Sequence, residues 1–161
     1  LKLKMSAKIT VAGQLNDPMF HKSMQIARQL EQLHPETISV ECLQFFETQW
    51  LIYLKKIANE LKGVFYEHDE KHPLVFLNGK DYIGDADRFS EWALFTFNHI
   101  EKDGLNVYNK LAQDCYRQYI NASTTRQYAF INLQANKEQD SKQVVFELFS
   151  HIAPKTCENF L

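Results

Sequence analysis

Residues 72–84 read HPLVFLNGKDYIG. The apolar runs on either side of Asn78-Gly79 read as two strands joined by a tight turn. Both central residues of that turn need positive φ, which asparagine and glycine tolerate best. Downstream, a capped helix is expected from about Asp85, with Phe89, Trp92 and Ala93 facing inward. Upstream, KITVAG (8–13) is a β-branched run ending at Gly13, a good buried strand. In QLNDPMF, Asn16 or Asp17 can cap a helix with Pro18 in its first turn. Phe20, Met24, Ala27 and Leu30 recur at helical spacing until His34-Pro35, where the residue before proline disfavours helix. ISVECLQF (38–45) is a second strand, and Trp50, Leu54, Ile57 and Leu61 mark a second helix that Gly63 ends. Residues 64–72 are polar and read as a loop. The predicted order is β-α-β-α-β-β-α.

The bulk numbers exclude several functions. Forty-five per cent of the 161 residues are apolar, enough for a core. Eighteen basic residues against 20 acidic ones leave a net charge of −2, so no excess exists to neutralise phosphates and nucleic acid is not an expected partner. No apolar run approaches the roughly 20 residues that cross a bilayer, and LKLKMSAK has no secretory pattern, so a membrane is not expected either. Cys42, Cys115 and Cys157 are scattered, with no CxxC or Cys/His cluster. No metal or other cofactor is expected, and reduced thiols fit a cytoplasmic protein. The chain starts at Leu1 rather than methionine, which suggests truncation.

PLVFLNGKDYIGDAD (73–87) resembles the glutaredoxin run that opens on a cis-proline, passes an N-G hairpin and reaches a glycine-aspartate pair. Pro73 matches the cis-proline, Asn78 and Gly79 the turn, and Gly84 the glycine before the last helix. The resemblance implies a thioredoxin-like α/β domain over residues 6–103 and a cis His72-Pro73 bond. Glutaredoxins carry their reactive cysteine at the start of the first helix, where the helix lowers the thiol pKa. Here that stretch is Asp17-Pro18-Met19-Phe20. Asp17 stands where the nucleophile would be and Phe20 where the resolving cysteine would be; Pro18 alone is kept. The domain is expected to be redox-inactive, with Asp17 an ordinary helix cap. The groove beside the proline leaves a peptide-binding role open.

A further helix is expected over roughly 105–120, within a connector spanning 104–126 that ends in the polar NASTT. QYAFINLQA (127–135) and KQVVFELF (142–149) then read as a hairpin around NKEQDS. VVFELFSHIAPKTCENF resembles the cyclophilin signature: a strand, F-E-L-F, a turn, then P-K-T-x-E-N-F opening a helix. Residues 127–161 would be the first hairpin of a cyclophilin β-barrel. The combination of a degenerate glutaredoxin-like domain, a helical connector and a cyclophilin start looks like the peptidyl-prolyl isomerase-like protein six family.

That resemblance implies a protein of motile cilia whose partners are axonemal proteins, with radial-spoke components among the candidates. It also places the catalytic arginine and the proline pocket beyond Leu161, so no catalytic residue is expected here. A two-stranded hairpin alone is marginal, and the chain is expected to continue. Two readings stay open: an isomerase-type protein with an amino-terminal docking module, and a purely structural ciliary interaction protein. Trp92, Phe95, Phe97, Phe130 and Val145 are the candidate partner surface. His68 and His72 in HDEKH are read as solvated loop rather than metal ligands, and Asp85 and Asp87 as helix-cap residues.

Overall fold

The computed structural model describes residues 6–60, 71–122, 127–134, 142–150 and 152–161. It divides into two compact units, one within residues 1–116 and the other within 117–161.

The first unit follows the expected order: β1 (Ala7–Gln14), α1 (Pro18–Leu33), β2 (Ile38–Phe45), α2 (Glu47–Glu60), β3 (Leu74–Leu77), β4 (Asp81–Gly84) and α3 (Ala86–Phe97). The four strands form one mixed sheet in the order β2-β1-β3-β4. β1 runs parallel to β2, which requires the crossover that α1 supplies, and antiparallel to β3. Strand alternation sends Ile9, Val11, Ile38 and Val75 to one face, under α1 and α3. It sends Ala12, Leu74 and Phe76 to the other, under Trp50 and Leu54 of α2. The result is a sheet covered by helices on both faces.

The turn that anchors the reading has the expected geometry. Asn78 and Gly79 have φ of 52° and 72°, and the Lys80 N–H closes the turn on the Leu77 carbonyl at 3.1 Å. Asn78 also ties β3 to β1, since its amide donates to Lys8 O (2.7 Å) and its Oδ1 accepts from Lys8 N–H (3.0 Å). Pairing between β3 and β4 slips at Val75/Phe76. The slip leaves Ile83 as the extra residue on β4. Gly84 beside it sits at φ 142°, and a Cβ there would stand 2.6 Å from Arg88 Cβ.

One expectation fails. The His72-Pro73 bond is trans, as is every peptide bond among the described residues. An X-Pro amide favours trans by about 0.5–1 kcal/mol unless the fold demands otherwise. Here the chain runs from a buried Pro73 straight into β3, where Leu74 pairs with Ala12. Proline at the mouth of a strand loses no ladder bond.

The helix α4 (Leu105–Ala122) continues the chain from the first unit into the second. Within the first unit it buries Tyr108 and Ala112, and Tyr116 sets its ring edge-on to Phe46 at 5.8 Å. The expected connector is thus partly core of that unit. The NASTT linker falls largely outside the described residues, as do NKEQDS, His68 and most of the 64–72 loop.

The second unit contains β5 (Gln127–Leu133), β6 (Lys142–Leu148) and α5 (Pro154–Phe160). The two strands pair antiparallel, with Phe130 opposite Val145 and Ala129 opposite Phe146. One face carries Ala129, Ile131, Leu133, Val144, Phe146 and Leu148. Phe160 of α5 meets Phe146 there at 5.8 Å.

Candidate functional site at the amino end of the first helix

Asp17 is where the resemblance places a reactive thiol. Its backbone is extended (φ −90°, ψ 116°), and its Oδ1 accepts the Met19 N–H at 2.9 Å, so it is the N-cap of α1. Pro18 follows at N1, where a missing N–H costs nothing. The second oxygen, Oδ2, is buried with no hydrogen-bond partner among the described residues. Burial pushes the carboxyl above its ordinary value, against the pull of the Met19 and Phe20 amides and of His72 and His21. His72, read from sequence as solvated loop, therefore belongs to the surroundings of Asp17.

His21 is one helical turn on and 2% exposed. Its Nε2 lies 2.8 Å from the Leu15 carbonyl, and since a carbonyl can only accept, the proton is on Nε2. Phe20, at the resolving-cysteine position, is fully buried and packs over Gly13, where a Cβ would fall 2.6 Å from Phe20 Cδ2. Sequence alone read Gly13 as the end of a strand. Its second use, making room for Phe20, shows only in three dimensions.

The chemistry available is narrow. No cysteine thiol is present at the helix start, and the carboxyl of Asp17, which stands in its place, already accepts a helix amide. Cys42 sits half-buried on β2, its thiol raised by burial, with Arg28 opposing. Cys115 is raised by burial as well, and Cys157 is buried. Neither Cys42 nor Cys115 is primed as a thiolate. Among the described residues no group of three or more His, Cys, Asp or Glu is placed to hold a metal ion. No described helix is long and apolar enough to cross a membrane. What remains is a helix cap over a packed core.

The sign of the Asp17 shift gives a test. A carboxyl raised in the folded state is favoured there in its protonated form. That contribution is complete below the unfolded value of 3.8 and is lost as pH rises through the folded value. Ionised Asp17 therefore costs stability at neutral pH. Asp17→Asn, which keeps a capping oxygen and never ionises, should melt higher than the wild type at neutral pH. The difference should close as pH falls through the carboxylate range. Asp17→Ala, which removes the cap, should instead lose about 1 kcal/mol. Thermal melts across pH measure both.

Asp85 repeats the capping role at α3, its Oδ1 accepting the N–H groups of Asp87 (3.1 Å) and Arg88 (3.0 Å). Asp87 then pairs with Lys22 of α1 at 3.0 Å. Of the candidate partner residues, Phe95 is 85% exposed and Phe130 63%. Trp92 is half-buried between Phe89 (5.7 Å) and Phe97 (5.4 Å), and Phe97 packs on His34 at 5.1 Å. Val145 is half-buried too. Trp92 and Phe97 thus support the core, and Phe95 alone on α3 offers a large ring to a partner.

No family model matches the chain. It is similar to three curated relatives, each named "Probable inactive peptidyl-prolyl cis-trans isomerase-like 6". The human protein is 25% identical over 95% of this chain and 48% of its own length. The bovine protein is 24% identical over 95% of this chain and 49% of its own length. The mouse protein is 24% identical over 95% and 48%. The chain spans about half the length of the curated relatives it matches.

Proposed function

We propose that this chain is the amino-terminal part of a peptidyl-prolyl isomerase-like protein of the cilium, and that its first unit is a thioredoxin-like module that docks without redox chemistry. The reading rests on one observation above all: the position of the thiol nucleophile holds Asp17, committed as a helix cap, with Phe20 committed to the core. The mixed sheet order β2-β1-β3-β4, with helices on both faces, agrees with a thioredoxin-like architecture. Similarity to the isomerase-like relatives along 95% of the chain supports the family.

The second unit, on this reading, is the opening of a cyclophilin-like domain. Its apolar face of Ile131, Leu133, Val144 and Phe146, each at least 37% exposed, is what such a sheet would bury in the interior of a closed barrel. Its strands and helix carry none of the groups that the resemblance assigns to proline isomerisation. The relatives' name, "Probable inactive", favours the structural version, in which the whole protein binds and does not isomerise.

The partners are axonemal proteins, radial-spoke components among them, and the place of action is the ciliary axoneme. The test is cosedimentation of the chain with isolated axonemes. Wild-type chain should pellet saturably, and Phe95→Glu should weaken binding about tenfold with an unchanged melting temperature. Binding that is absent, or untouched by Phe95→Glu, would sink the docking role assigned to this ring.

A further inference from the structure

β2 is an outer strand of its sheet and reads ISVECLQF, eight residues with one charge and no proline or glycine. An edge of this length and composition recruits strands from other molecules unless something blocks it. Its one charge gives little protection. The Glu41 carboxylate is tied to Lys8 on the neighbouring strand at 3.0 Å and accepts from Thr10 Oγ1 at 3.3 Å.

The block comes from α1. Alternate residues of a strand present their N–H groups to the same edge. On the outer edge of β2, the Ile38 N–H donates to the His34 carbonyl at 2.9 Å. The next outward N–H, that of Val40, donates to Glu31 Oε1 at 2.8 Å. Met24, Arg28 and Glu31 share one flank of the helix by their spacing. All three lie along this strand: Met24 Sδ is 4.0 Å from Gln44 Nε2, Arg28 is beside the Cys42 thiol, and Glu31 is on the Val40 amide.

We propose that Glu31 is an edge guard, a side chain that occupies the outward amide of β2 and stops a second copy of this chain from adding a strand there. Its location argues for this role. Glu31 sits in the last turn of α1, where the negative end of the helix disfavours a carboxylate. A neutral or basic residue would suit the helix better. The contact with Val40 supplies the compensation that the helix does not. The guard covers the first half of the strand, so addition at the full eight-residue edge is blocked while the shorter Cys42–Phe45 stretch offers too few bonds to hold a partner.

The test uses the whole chain and compares variants with the wild type by sedimentation equilibrium and amide hydrogen exchange over a range of concentrations. Glu31→Ala should associate at least about tenfold more tightly than the wild type. The amides of Val40, Cys42 and Gln44 should gain protection as concentration rises. Glu31→Gln, whose amide oxygen still accepts from Val40, should behave as the wild type. Glu31→Asp keeps the charge but falls short of the amide; it should associate more than the wild type and serves if the alanine variant does not fold. The proposal is overturned if the alanine and aspartate variants match the wild type at every concentration. Association without added protection in residues 38–45 overturns it equally, because the contact would then be elsewhere.

Discussion

Phe20→Ala is expected to remove about 3–5 kcal/mol from the stability of the first unit, a large share of what a domain of this size has. Phe20 is fully buried, and its ring fills the space that Gly13 leaves open at the end of β1. Truncation to a methyl would leave a cavity walled by backbone, which cannot collapse to fill it. Its ring also stands edge-on to His21 at 5.3 Å, so the histidine would lose a packing wall while keeping its bond to Leu15. Urea denaturation measures the loss. A cost below about 1 kcal/mol would show that Phe20 is not the core residue described here. The result bears on function, because this position belongs to a resolving cysteine in the resembled family. A residue worth several kcal/mol to the core cannot double as exposed redox chemistry.

Trp50→Ala should have an effect of the same size, about 3–5 kcal/mol, through the opposite face of the sheet. Trp50 is fully buried and anchors α2 over Ala12 and Leu74. It stacks with Tyr53 at 5.7 Å and lies 5.8 Å from Phe45, while Phe45 and Tyr53 stack at 4.6 Å. The aromatic cluster is the main tie between this helix and the strands beneath it. Its loss should expose the outer half of β2 and raise hydrogen exchange in Leu43 and Phe45 before the rest of the sheet. Uniform exchange across all four strands would mean that α2 does not unfold as a separable layer.

Much of this architecture was legible in local pattern. The Asn78-Gly79 turn, the apolar stripe of α1 and the β-branched runs of β1 and β2 specify elements that the structure contains, because each signal is set by neighbours in sequence. Asp17 and Asp85 were readable as caps for the same reason. What was not legible depends on distant partners. The isomer of the His72-Pro73 bond follows from how β3 enters the sheet beside β1, which no local pattern reports. Trp92 and Phe97 looked like a partner surface because α3 is apolar on more than one side; the fold uses them against Phe89 and His34, and leaves Phe95 outside. His72 beside Asp17 and Glu31 on Val40 join residues far apart in the chain or on different elements. Their spacing carries no signal of contact. The extent of α4 into the first unit was hidden likewise, since Tyr108 and Ala112 read the same in a free connector as in a docked helix.

On the function proposed above, the first unit is a thioredoxin-like module without thiol chemistry. The most direct measurement is glutathione-dependent reduction of a small mixed disulfide by the purified chain, run beside an active glutaredoxin and a Cys42→Ser variant. The account predicts no turnover above buffer for the wild type, and the same for the variant. Turnover by the wild type that disappears in Cys42→Ser would contradict it, because a thiol held above its ordinary pKa by burial would then be acting as the nucleophile.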